Sequence, residues 1–161
     1  MPALAAPPAQ ESAAWVNRLT WGASAADAGS EKAGSSRWLD AQLKHPDDTL
    51  PPEAAAQIAA MRISRKPLAA LVVEQDAANR YANKLTDPAQ RDAARKAYQQ
   101  DMNALATEAA TRSLLRDLYA PDQLREQLTW FWFNHFNVHQ YKSNLRVMAS
   151  IRRSTTIFTM A

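Results

Sequence analysis

The sequence predicts an all-α protein, an irregular helical bundle in which a long αα-hairpin packs on a central aromatic-rich helix. Three observations lead there. Apolar residues recur at helical spacing through several long segments of the 161-residue chain, a length of about one domain. Alanine is abundant and Val/Ile alternation is scarce, LAALVVEQ being the one run that resembles a strand. The prolines are spread out and fall where helices start or stop.

Taken in order, residues 1–11 read as a flexible leader rich in Pro and Ala, with neither the basic n-region nor the apolar h-region of a signal peptide. Ser12 can cap a first helix through Trp15, Val16 and Leu19 that ends near Thr20-Trp21-Gly22. Ser24 caps a short helical segment, and residues 29–34 read as a loop. The next helix, RWLDAQLKH, starts at Ser35 or Ser36 with Trp38, Leu39, Gln42 and Leu43 as its stripe. Lys44 and His45 suit its last turn, and Pro46 ends it. Proline stiffens PDDTLPP, which therefore reads as a linker. A brief helix from Glu53 to Met61 follows, and RISRKP breaks the chain again.

Leu68, Leu71, Val72, Gln75, Ala78, Ala82 and Leu85 keep helical spacing, with Asp76 and Arg80 placed for an i,i+4 pair. Thr86-Asp87-Pro88 is the turn into a long helix whose stripe is Ala94, Tyr98, Met102, Leu105 and Ala109. The two helices should form an antiparallel hairpin. Past Thr111 the apolar face rotates to Leu114, Leu115 and Leu118, which predicts a bend or a change of packing partner.

The central helix is Pro121 to His139, PDQLREQLTWFWFNHFNVH, the densest apolar segment of the chain. Pro121 suits the first turn, and Asp122 and Glu126 complement the positive end of the macrodipole. Leu124, Leu128, Phe131, His135 and Val138 share one face, while Trp130, Phe133 and Phe136 lie on another. A helix so apolar needs cover on more than one side, and it should be the core. Burying each large aromatic here is worth roughly 2–3 kcal/mol. The unbroken apolar run is only Trp130 to Phe133, far short of the roughly 20 residues of a bilayer span, so no membrane span is predicted.

Composition removes several function classes. Only 3 Gly are present, at positions 22, 29 and 34, so no Gly-rich phosphate cradle or dinucleotide fingerprint can be built. With 0 Cys there are no disulfides, thiolate nucleophiles or Cys-based metal sites. The net charge is a mild +3. Lys142, Arg146, Arg152 and Arg153 cluster late in the chain, but without interleaved exposed aromatics, and no nucleic-acid partner is predicted.

No catalytic constellation is complete, and no cofactor is predicted. His135 and His139 stand one helical turn apart, a spacing that metals use, but a third ligand would have to come from His45 or a distant carboxylate. The simpler reading makes His135 a hydrogen-bonded core residue and His139 a helix end. Glu126 is the best single carboxylate candidate for catalysis, and His135 is the second candidate residue. On one helix the two lie almost opposite, and an inter-helix ion pair accounts for Glu126 more simply. Asn134 and Asn137 read as helix-end caps.

The segment RSLLRDLYAPDQLREQLTWFWFNHFNVH, with NRLTWGAS and RWLDAQL upstream, resembles the N-terminal third of a large bacterial family known as domain of unknown function number eighteen hundred. The FWFNHFNV block is the specific part. The resemblance covers nearly the whole chain to about Met148 and implies a mostly helical protein, commonly exported, with no established catalytic residue to carry over. Residues 12–148 then form one helical domain, the N-terminal part of a larger one. Residues 149–161, ASIRRSTTIFTMA, read as an atypical tail where the family continues with acidic sequence. Family members are typically several times longer, and a truncated or frame-shifted product would explain both departures.

The functional expectation is a non-catalytic helical module that associates with another polypeptide, a second copy or a helical partner, through Trp130, Trp132, Phe133 and Phe136. The alternative is part of a hydrolase or metalloenzyme using Glu126, His135 and His139, completed by a C-terminal region.

Overall fold

A computed structural model describes residues 14, 16–22, 35–44 and 47–135, and every regular element among them is a helix. Residues 16–19 are helical. They are followed by α1 (Ser35–Lys44), α2 (Pro52–Ala60), α3 (Arg62–Arg65), α4 (Leu68–Lys84), α5 (Pro88–Tyr119) and α6 (Gln123–His135). The all-α class is as the sequence predicts.

The α4–α5 hairpin forms as its local signals direct. The Asp87 side chain accepts a hydrogen bond from the Gln90 N–H at 2.9 Å, and Pro88 takes the first helical position, where its missing N–H is no loss. Asp76 and Arg80 pair at 2.8 Å along α4. Across the hairpin, Leu71 and Ala82 of α4 are fully buried with Met102, Leu105 and Ala109 of α5. Met61 and Ile63 close this main core, with Ile58, Leu68, Tyr98 and Leu115 packed around it.

The sequence predicts a break at RISRKP, whereas the structure places one helical turn there. Met61 is extended (φ −65°, ψ 143°) and separates α2 from α3. Ile63 is buried, and its N–H donates to Glu108 Oε2 of α5 at 3.1 Å. Arg62 donates to both carboxylate oxygens of Asp101, at 2.5 and 2.9 Å, the fork-to-fork geometry that fixes a side chain most firmly. The Gln75 amide also donates to Asp101, which explains a polar residue on the buried face of α4. A turn too short to hold itself is thus held by α5.

The core does not sit on the aromatic helix. α6 begins at Gln123, and its buried residues are Gln123, Leu124, Glu126 and Thr129, mostly polar. Leu124 joins Val16 and Trp38 in a second, smaller cluster, with Leu19 and Leu128 against it. Beyond Thr129 the rings stand open: Trp130, Phe131 and Trp132 are exposed and Phe133 is half-buried. The physical reason is angular. Four consecutive aromatics point around the helix at about 100° intervals, so no single packing face can hold them all. Phe136 and Val138, the leader, Trp15, His45 and the 149–161 tail lie outside the described residues.

Two other stripes differ from expectation. In α1, Trp38 is buried while Leu39 and Leu43 face solvent, because the helix turns Gln42 towards α6 instead. In α5 the inward face does not rotate after Thr111. It continues in phase through Arg112 and Arg116, leaving Leu114 and Leu118 exposed and one unbroken helix.

Two outcomes test this packing. Leu105→Ala should cost about 2–5 kcal/mol by denaturant unfolding, whereas Val73→Ala, at an exposed site of α4, should stay within about 0.5 kcal/mol. Arg62's hydrogen bonds, joined by that of Gln75 and opposed by partial burial, hold the Asp101 carboxyl below its ordinary value. A group depressed in the folded state contributes stability that is present above its unfolded pKa and lost as pH falls through the folded value. Thermal unfolding of Asp101→Asn should therefore show a weaker acid dependence than the parent below about pH 4.

Candidate functional site

Two neighbouring features stand out, a buried ionic cluster where α5 turns into α6 and an aromatic ledge on the far half of α6. The inward stripe of α5 steps from Met102, Leu105 and Ala109 to Arg112 and Arg116 at the same three-and-four spacing. Arg112 is buried, and Arg116 is only 15% exposed at its side chain. Arg116 Nε donates to Glu126 Oε1 at 2.7 Å, and its Nη2 donates to Asp48 in the 47–51 connection. The two partners differ. Glu126 is 7% exposed and Asp48 64%, so one side of Arg116 is fixed in the interior and the other is open to water.

Uncharged amides hold the junction in place. Gln123 donates from Nε2 to the carbonyls of Ala120, at 2.7 Å, and Asp117, at 3.1 Å, which satisfies acceptors left over at the end of α5. Gln42 of α1 donates to the Pro121 carbonyl at 3.0 Å and accepts from the Leu124 N–H at 3.1 Å, spanning the entry to α6. Thr129 donates to the Arg125 carbonyl at 2.7 Å. Asp122, just before α6, is buried, with Arg125 Nη1 3.9 Å from its Oδ2.

The charges respond to this burial in opposite ways. Burial pulls the Arg116 guanidinium down, but Asp48 and Glu126 together more than reverse it and leave the group raised. Arg112 is lowered, by burial first and by the neighbouring Arg116 charge second, with Glu126 opposing. The Asp122 carboxyl is raised, chiefly by burial, with Glu126 and Asp48 adding to the push and Arg125 resisting it.

On the ledge, Trp21 meets Trp130 edge-on, with centroids 5.5 Å apart, and the Trp21 N–H donates to Gln123 Oε1 at 3.4 Å. Phe131 stacks on His135 at 5.7 Å, and Trp132 meets His135 edge-on at 5.5 Å. The imidazole therefore stands among rings on the surface, not in the core position the sequence suggests. Glu126 and His135 are not brought together. One is paired inside the junction, and the other lies nine residues further along α6, roughly 13 Å up the axis and on the opposite face. No group of three or more metal-type side chains gathers among the described residues, and His139 and Phe136 lie outside them.

Sequence reasoning identified Glu126 and its ion pair but missed Arg112, Arg116, Asp48 and the two glutamine ties. The signal for the arginines was available in the spacing, since positions 112 and 116 extend the Met102 stripe without a phase shift. Asp48 and the glutamines carry no such mark. Among the described residues, Glu126 is paired with Arg116 and is not brought to His135. The arrangement offers a rigid junction and, beyond it, an apolar surface.

A family model described as Protein of unknown function (DUF1800) matches residues 14–161. No curated protein and no solved structure matches the chain.

Removing one partner of the interior pair should be the severe change. Arg116→Met leaves Glu126 buried without its cation and should cost about 3–5 kcal/mol in chemical denaturation, most of it regained in the Arg116→Met/Glu126→Leu double variant. Asp48→Ala, on the watery side, should cost no more than about 1 kcal/mol.

Proposed function

For this protein, which belongs to the family described as Protein of unknown function (DUF1800), we propose a non-catalytic role as a helical module that associates with another helical polypeptide through the aromatic ledge of α6. The observation that carries the reading is the exposure of Trp130, Phe131 and Trp132 on consecutive positions, with Trp21 against the first of them. Large apolar rings gathered on a surface commonly mark an interface, and Trp is enriched among the residues that dominate binding energy. The ledge is also well mounted. Its helix is anchored at the opposite end by the Arg116–Glu126 pair and by Gln42 and Gln123, so the rings are presented by a rigid element at little entropic cost.

No helix among the described residues is long and apolar enough to cross a membrane. A hydrolase or metalloenzyme reading would need Glu126 and His135 to share a site. Glu126 is committed to Arg116, and the two face apart.

The test is self-association, read by size-exclusion chromatography with light scattering across a concentration series. The parent should form dimers or larger species as concentration rises, and Trp130→Ser/Trp132→Ser should stay monomeric with an unchanged helical circular-dichroism spectrum. A parent chain that elutes as a clean monomer at the highest concentration would remove the reading.

A further inference from the structure

We propose that the α5–α6 junction is a proton-operated clasp whose working part is the buried carboxyl group of Asp122. With the proton on, the group is accommodated; with the proton off, it favours release of α6 from α5.

The geometry shuts Asp122 away from water and, although the Arg125 backbone N–H donates to its carboxyl, leaves one oxygen without a donor. Its side chain is 3% exposed, and Oδ1 is buried with no hydrogen-bond partner. The guanidinium of Arg125, from its own helix, is 3.9 Å from the other oxygen, beyond hydrogen-bonding distance. The junction's other cations are placed elsewhere: Arg116 of α5 is engaged by Glu126 and Asp48, and Arg112 lies one turn before it on the same inward stripe. The charged groups that act on Asp122 are therefore Arg125 and Glu126 on α6 and Asp48 from the 47–51 connection, while Arg112 and Arg116 of α5 act on each other and on Glu126. α1 approaches with the uncharged Gln42, its Asp40–Lys44 pair lying at the surface. An anion here has a bare oxygen in a poorly solvated place, close to two other carboxylates. That arrangement favours the protonated form of a carboxylic acid.

Burial foremost, and Glu126 and Asp48 after it, raise the Asp122 carboxyl above its ordinary value. A group raised in the folded state contributes stability that is full below its unfolded pKa and declines as pH rises through the folded one. This is opposite to Asp101 in the hairpin, whose contribution declines on acidification. The contribution of Asp101 thus grows as pH rises, and that of Asp122 as pH falls. Because Asp122 stands at the entry to α6, the strain of its ionisation falls on the helix that carries the aromatic rings. The inference does not depend on what those rings bind, and its test reads stability and proton affinity, not association.

The experiment compares thermal unfolding of the parent chain and Asp122→Asn from about pH 3, below the ordinary value of an aspartate, to about pH 8. Asn is nearly isosteric and keeps an acceptor at the start of α6, but it cannot ionise. The two midpoints should agree at the acid end, and the parent should shift downward relative to the variant as pH rises. Parallel profiles would overturn the proposal. Independently of any variant, the side-chain carboxyl ¹³C resonance of Asp122 in the parent should titrate above the ordinary carboxylate range. Titration within or below that range would overturn the proposal on its own.

Discussion

One face of α5 organises the molecule, and its constraint is phase. A straight helix of 32 residues presents a single inward stripe, and whatever lies on that stripe must find a partner inside the protein. Over its middle the stripe is Met102, Leu105 and Ala109, and the partners are the apolar residues of α4 and the α2–α3 corner. Over its last turns the stripe is Arg112 and Arg116, and the partners of Arg116 are carboxylates. The same element therefore builds a hydrophobic core at one level and an ionic junction at the next. α6 is recruited by Glu126, and its aromatic rings have no share in that contact. The arginines are interior because the backbone geometry carries them there, and Glu126 is interior with Arg116 because an unpaired guanidinium would be costly.

Much of this architecture was legible in the sequence where local chemistry decides. Asp87-Pro88 announces the start of α5, Pro67 the approach to α4, and the spacing of Leu71, Gln75 and Ala82 the face that α4 buries. The misreadings share one cause, the assumption that apolar density locates the core. Leu114 and Leu118 attracted attention because they are leucines, although the stripe had already passed to Arg112 and Arg116. Trp130 to Trp132 were assigned to the interior because they are large, although consecutive positions cannot share a side of one helix. The one-turn α3 was illegible for another reason. It depends on Glu108 and Asp101, about 45 and 39 residues away, and no local pattern records such support.

The junction and the ledge divide the chemistry of the candidate site between them. Arg116, Gln42 and the Gln123 amide fix the root of α6, and the exposed rings lie beyond it. A surface assembled this way has shape, area and a stiff mount. Membership of a family described as of unknown function supplies no competing assignment.

The glutamine tie from α1 has a consequence for how the chain finds its shape. Gln42 meets Leu124 across 82 residues of sequence, while Gln75 meets Asp101 across 26. Closing the longer loop costs about 1 kcal/mol more in chain entropy, before any contact on that side returns the difference. The hairpin can assemble from near neighbours along the chain, whereas α1 and α6 must search for each other from opposite halves of it. The rings of α6 are thus carried by the part of the molecule whose attachment is least locally encoded.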